Sequence, residues 1–167
     1  TKGGYLTYNG EYIEAVYHST SNGITENSIN VWGNAYPYLI NVESPYDNAN
    51  PSYESEKIIS YEILSRLLSS NITEYTEFKI LHKTSGNRVG QIKIGENIYS
   101  GVEIRNILGL RSADFDIVKN ESGISFKTYG YGHGVGMSQY GANGYAKNGY
   151  TYKQILEHYY PGTTLNY

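Results

Sequence analysis

In Gly130-Tyr131-Gly132-His133-Gly134-Val135-Gly136-Met137-Ser138-Gln139-Tyr140-Gly141-Ala142, glycine occupies every second position from 130 to 136. Glycine gives up the side-chain bulk that keeps a second backbone or a flat ligand at a distance, and it tolerates positive φ. A chain that accepts this entropic cost at four alternate positions needs close approach at that point. The spacing excludes a dinucleotide fingerprint, because the third glycine would fall on Val135 counted from Gly130, or on Met137 counted from Gly132. There is no Gly-Lys-Ser/Thr for a phosphate loop. The run therefore reads as a glycine-lined polar site of another kind. His133, with glycine on both sides, is open either to a ligand or to another loop, or it pins a tight turn.

Outward from this run the chain reads as hairpins and short helices. Residues 114–119 and 124–129, joined by 120–123, form a hairpin that leads directly into the glycines. Ser138 is placed to cap a helix running to about 148, with Gly149 at its C-terminal stop. Thr151 and Gln154 make a capping box for a last helix that ends before Pro161-Gly162. Upstream, 5–8 and 11–18 flank Asn9-Gly10, the strongest short hairpin signal. Residues 31–33 and 38–42 read as short extended segments. Ile59, Ile63 and Leu67, with Leu64 and Leu68 beside them, predict a helix over 54–69. Residues 76–83 and 88–94 surround Ser85-Gly86-Asn87 as another hairpin, and 102–108 is a helix closed by Gly109. The expected class is α+β: antiparallel β-hairpins with several short helices, forming a substrate groove.

The 167 residues suit one domain. Tyrosine is abundant, at 20 residues, and suits both strands and the stacking of sugar rings. A net charge of −3 without a basic stripe argues against nucleic acid. The absence of cysteine removes disulfides, thiolate zinc sites and Cys nucleophiles together. No apolar run is long enough to span a membrane, and no signal peptide is visible. The chain opens on Thr1-Lys2-Gly3-Gly4 without Met, and is expected to be a piece of something longer.

Among residues able to do chemistry, His18, His82, His133 and His158 lack metal-binding spacing. The loop 18–25, His-Ser-Thr-Ser-Asn-Gly-Ile-Thr, is dense in hydroxyls and amides. That suits recognition of sugar hydroxyls or a carboxylate, and equally suits turns in which Ser, Thr and Asn bond their own backbone. Ser138 lacks the glycine pattern of a nucleophile elbow and serves better as a cap. Glycoside cleavage needs a carboxyl poised as acid or base. Glu14 and Glu26 lie nearest the polar loop, but neither is assigned that role.

Several segments together resemble one family. The run Gly-His-Gly-Val-Gly-Met-Ser-Gln-Tyr-Gly-Ala (132–142) is similar to the signature of the SpoIID/LytB family, the stage II sporulation protein D group. Segments 18–25, 31–39 (Val-Trp-Gly-x-x-x-Pro-Tyr-Leu), 104–112 (Ile-Arg-x-x-Leu-Gly-Leu-Arg-Ser) and 155–163 (Ile-Leu-x-His-Tyr-Tyr-Pro-Gly-Thr) match in the same order. The resemblance covers nearly the whole chain and implies peptidoglycan chemistry. Family members include lytic transglycosylases that cleave glycan strands lacking stem peptides and leave 1,6-anhydromuramic ends; other members are described as amidase enhancers. A Glu acts first as acid, then as base.

The resemblance further implies work during engulfment at sporulation, on the cell-wall side of the membrane, with glycan strands, membrane-anchored sporulation proteins and an amidase as partners. A parent protein would be anchored by an N-terminal transmembrane segment. The family's catalytic Glu lies in a Ser-Glu-Met-Pro-like segment with no counterpart here. Residues 1–167 are thus expected to be a SpoIID-like domain without that segment, and no catalytic residue is expected in this chain. Some members carry a His/Cys zinc site, which a chain without cysteine cannot form, so no metal or cofactor is expected. The residues carried over as substrate-binding are His18, Ser19, Ser21 and Thr25, Tyr38, and His133, Gln139 and Tyr140. Trp32 is either a stacking platform or core. A non-catalytic glycan-binding module or amidase enhancer is the competing reading.

Overall fold

The computed structural model describes residues 3–167, and its architecture is α+β. In chain order the first elements are β1 (Tyr5–Tyr8), β2 (Glu11–Tyr12), β3 (Tyr17–His18) and α1 (Ser28–Trp32). A one-turn 3-10 helix at Asp47–Ala49 precedes β4 (Glu54–Ser60) and α2 (Tyr61–Leu67). Then come β5 (Phe78–Lys83), β6 (Val89–Ile94), β7 (Asn97–Ser100) and α3 (Gly101–Leu108). The chain closes with β8 (Phe115–Asn120), β9 (Gly123–Tyr129), β10 (Met137–Ser138), α4 (Gln139–Lys147), α5 (Tyr152–Tyr159) and β11 (Thr164–Asn166).

Two three-stranded antiparallel sheets, ordered β4-β9-β8 and β5-β6-β7, share one hydrophobic cluster with α2 and α3. Ile59, Leu64, Ile92, Ile104, Phe115, Ile124 and Phe126 lie at its centre. Each such side chain contributes about 1.5–3 kcal/mol when fully withdrawn from water. A second cluster joins β1 and β11 to α4 and α5 through Leu39, Val135, Tyr145, Tyr159 and Tyr160. Val135 comes from the glycine run, so the run is part of this second core.

The hairpins at 76–94 and 114–129 form as the turn chemistry predicts. Ser138 caps α4 by accepting from the Gly141 N–H, and Thr151 with Gln154 forms the capping box of α5. Gly109 ends α3 in the left-handed region, at φ 61. Four expectations fail. Within 38–42, expected as a short extended segment, residues 38–40 form a turn and bend, with the Leu39 N–H donating to the Tyr36 carbonyl at 2.9 Å. The helix expected over 54–69 begins only at Tyr61; 54–60 is β4, zipped along all of β9 from Glu54 opposite Tyr129 to Ser60 opposite Gly123. Residues 31–32 belong to α1, which Asn27 caps and Gly33 stops at φ 77. The strand expected over 11–18 is broken, with only Glu11–Tyr12 and Tyr17–His18 paired. Here Tyr17–His18 runs parallel to Met137–Ser138 rather than along β1.

Candidate functional site

All four glycines of the run have positive φ, at 80, 118, 85 and 70 for Gly130, Gly132, Gly134 and Gly136. The resulting backbone is neither helix nor strand, and it stitches the molecule together. Tyr131 exchanges backbone hydrogen bonds with Thr20, at 2.7 and 3.0 Å. The Glu26 N–H donates to the Gly134 carbonyl at 2.8 Å, and the Gly132 N–H to the Arg111 carbonyl at 3.0 Å. Gly134 is required for a further reason. A Cβ there would lie 2.5 Å from Cζ and 2.6 Å from Nε of Arg88, so the guanidinium lies flat against bare backbone.

Arg88 is only 3% exposed. Its Nη1 donates to the carbonyls of Gly86 and Ile24, at 2.9 and 3.2 Å, and stands 4.0 Å from Oε2 of Glu26. Burial lowers the Arg88 pKa while Glu26, Asp114 and Asp47 oppose that fall. Glu26 is itself 1% exposed. Its Oε1 accepts from the Asn27 N–H at 2.8 Å and from Asn30 Nδ2 at 2.9 Å, and its Oε2 accepts from the Thr84 hydroxyl. Those donors occupy both oxygens, so Glu26 ties α1 to the β5–β6 turn and gives Arg88 a counter-charge.

The two histidines of the sequence motifs meet beside this pair. The rings of His18 and His133 are 5.7 Å apart, and the Trp32 ring lies 5.1 Å from that of His133. His18 Nδ1 is 3.1 Å from the Val135 carbonyl. A carbonyl can only accept, so Nδ1 carries the proton and Nε2 is a bare acceptor, buried and without a partner among the described residues. Burial, then Arg88, then His133 push the His18 pKa down to about 3, against the Val135 carbonyl, which raises it. Around His133 the order is burial, then Arg105, with the Tyr17 carbonyl opposing, and its pKa is also lowered. The Val135 N–H donates to His133 Nδ1 at 3.1 Å, so a neutral His133 presents Nε2–H. Both rings are therefore neutral near pH 7.

A pocket of about 220 Å³ opens here, lined by Glu26, Asn30, Thr84, Arg88, Arg105 and His133 among others. Of the sequence-derived residues, His133 lines it, and the His18 ring, outside the lining, is 5.7 Å from that of His133. The others lie elsewhere. Ser21 is fully buried, and its N–H and hydroxyl both donate to Asp47, at 2.9 and 2.8 Å. Thr25 is fully buried, donating to the Ile40 carbonyl and accepting from the Val42 N–H. Ser19 is half-buried with its hydroxyl 3.1 Å from that of Thr20. Tyr38 packs with Tyr8 and Tyr36 in the second core, its hydroxyl accepting from the Glu14 N–H. Gln139 and Tyr140 are exposed at the start of α4, and Tyr140 lines a separate pocket with Tyr46, Asn143 and Lys147.

Asp47 holds this loop framework in place. Beyond Ser21, it accepts from the hydroxyls of Ser44 and Ser138, and Ser44 Oγ lies 2.5 Å from the Tyr159 hydroxyl. One buried carboxylate thereby joins the 18–25 loop, the cap of α4 and the end of α5.

Sequence reasoning missed Arg88, Asn30 and Thr84, and considered Glu26 only as an acid. Arg105 carried a signal, since it stands in the 104–112 segment, but it was not singled out. The zinc that some family members hold does not fit these residues. His18 and His133 are two imidazoles with one Nδ1 donating and the other accepting, and no third ligand gathers beside them among the described residues. No helix of the described residues is long and apolar enough to cross a membrane.

No family model matches the chain. Curated relatives do match it over nearly its full length. Stage II sporulation protein D of Bacillus subtilis (strain 168) is 42% identical over 167 residues, 99% of this chain and 49% of the relative. The protein of that name from Bacillus amyloliquefaciens is 41% identical, over 99% of this chain and 48% of the relative. A protein named amidase enhancer, from Bacillus subtilis (strain 168), is 30% identical over 220 residues, 99% of this chain and 31% of the relative. The chain thus spans about half the length of the two sporulation proteins it matches. Identity above 40% across 99% of the chain places it, over the span it shares with them, in the stage II sporulation protein D family.

Proposed function

We propose that this chain acts on the cell wall during sporulation, as the glycan-holding part of a lytic transglycosylase that works on strands without stem peptides. The observation that carries the reading is the 42% identity with a stage II sporulation protein D. The likeness to an amidase enhancer supports a link between this site and the amidases that strip stem peptides. The pocket supports a holding role: it offers cations and neutral imidazole, with Trp32 against His133 beside it, while both oxygens of its one lining carboxylate, Glu26, are engaged. The acid would come from the Glu-bearing segment that the family resemblance implies. The proposed place of work is outside the cytoplasm, on the wall side of the membrane, with membrane-anchored sporulation proteins as neighbours.

Mass spectrometry of stem-free glycan strands tests this. The chain alone is incubated beside a form extended by the Glu-bearing segment. Anhydromuramic products from the extended form only are expected. Products from the chain alone would move the acid into these residues. Products from neither, with retained glycan binding, would favour a binding module.

A further inference from the structure

Two arginines and one carboxylate, Glu26, line the pocket; Asp114 and Asp47 also act on Arg88 from outside the lining, Asp114 being paired with Lys83 and Asp47 taken up by serine donors. Arg88 and Arg105 both line it, as does Glu26, whose oxygens are already engaged by Asn27, Asn30 and Thr84. Arg88 Nη2 has no hydrogen-bond partner among the described residues, and it is not among the atoms shut away from solvent. Arg105 is half-buried on α3, and among the described residues only its Nε has a partner, the Arg111 carbonyl at 3.3 Å. Two guanidinium groups with free donors against one saturated carboxylate in the lining leave a positive pocket. Guanidinium geometry matches a planar carboxylate. The other titratable groups facing the pocket are His82 and the neutral His133.

Size and rim narrow the ligand. A volume of about 220 Å³ is below the ~300–1,000 Å³ of clefts that hold whole drug-sized ligands, so the pocket takes a substituent rather than a chain. Beside it Trp32 is 44% exposed, its ring 5.1 Å from that of the lining His133. An aromatic face next to a small cationic pocket fits a sugar ring that carries an acidic side arm.

Resting on the glycan reading above, we propose that this pocket binds the free carboxylate of the lactyl ether of N-acetylmuramic acid, through Arg88 and Arg105, with the pyranose against Trp32. A stem peptide converts that carboxylate to an amide. The charge disappears and a peptide must enter a pocket sized for a small group. The pocket would therefore read whether the stem has been removed.

The test is titration of the chain with N-acetylmuramic acid, its methyl ester, N-acetylglucosamine and D-lactate, followed by amide and arginine side-chain NMR. Binding of stem-free strands is measured in parallel. The acid is expected to bind about tenfold more tightly than the ester, the worth of one charge-assisted hydrogen bond. Arg105→Gln, on a half-buried side chain that the core does not need, should abolish the difference while the spectrum stays folded. Equal binding of acid and ester, with strands still held, overturns the carboxylate pocket and leaves the glycan reading standing. D-lactate binding as tightly as the sugar acid overturns the muramic assignment, since Trp32 would then contribute nothing. Preference for the acid without any binding of strands supports the pocket and overturns the strand reading. No binding of any probe overturns both.

Discussion

His18 makes the stability of this fold fall as the solution is acidified, by an amount the structure sets. Its ring is buried and neutral, with a pKa moved from 6.5 down to about 3. When the chain unfolds, the imidazole returns to water and recovers an ordinary affinity for protons. Between pH 6.5 and 3 the unfolded state therefore binds the extra proton, and stability rises with pH across that window. At pH 7 both states are largely neutral. At pH 5 the folded ring is still neutral while the unfolded one is charged. Each pH unit below 6.5 then costs about 1.4 kcal/mol, or about 2 kcal/mol by pH 5. His133, lowered in the same direction, adds to the loss. Urea unfolding at pH 7, 6 and 5 reads the slope. The comparison is His18→Asn, in which Nδ2 stands where Nδ1 donates to the Val135 carbonyl. The variant should be less stable at pH 7 and lose about 2 kcal/mol less between pH 7 and pH 5. Parallel pH profiles for the two proteins would mean that His18 is protonated or solvated in the fold, and the tautomer argument would fall with it.

Other perturbations separate framework from site. In Gly141→Ala the new methyl would overlap the hydroxyls of Tyr159 and Ser44 and come within 2.8 Å of Asp47 Oδ2. A loss of about 3 kcal/mol is expected from overpacking and broken hydrogen bonds, read as a lower urea midpoint; an unchanged midpoint would refute the hub. Glu26→Gln takes the nearest counter-charge from the buried Arg88, leaving it Asp114 and Asp47, and should cost about 3 kcal/mol, the low end for a broken buried pair because the charges stand 4.0 Å apart. Trp32→Ala should leave the melting temperature nearly unchanged and weaken glycan binding about fivefold. A large drop in melting temperature would mark Trp32 as core instead.

Legibility in the sequence followed the range of the physics involved. Hairpins at 76–94 and 114–129 and the caps at Ser138 and Thr151 are local, and each formed where expected. Strand β4 was hidden because Ile59, Ile63 and Leu67 have helical spacing; its partner β9 lies far along the chain and overrides local periodicity. By contrast α1 was recoverable, since Asn27 and Gly33 are ordinary start and stop residues. In the site, His133 was legible because flanking glycines left it nothing local to do. Arg88 was not, since a strand-end arginine is normally solvated, and only the fold sets it against Gly134 and Glu26.

The glycine run explains why stability was given up here. Three buried side-chain atoms lack a hydrogen bond among the described residues: His18 Nε2, Asn22 Oδ1 and Arg88 Nε. Each unmet group costs about 1–3 kcal/mol, and a buried ion pair such as Glu26–Arg88 is often no better than apolar packing. Stability alone would have removed them. Instead two of the three lie against the glycine run, and the third belongs to a residue that meets the turn before Arg88. His18 bonds to Val135, Arg88 lies on Gly134, and Asn22 donates to the carbonyl of Gly86, which a Cβ would drive against both Arg88 and Glu26. Backbone without side chains is what lets two imidazoles and a guanidinium come this close. An unmet Arg88 atom in the pocket lining and an unmet His18 ring against His133, with both hydrophobic clusters well filled elsewhere, mark the place where the sequence serves binding ahead of folding.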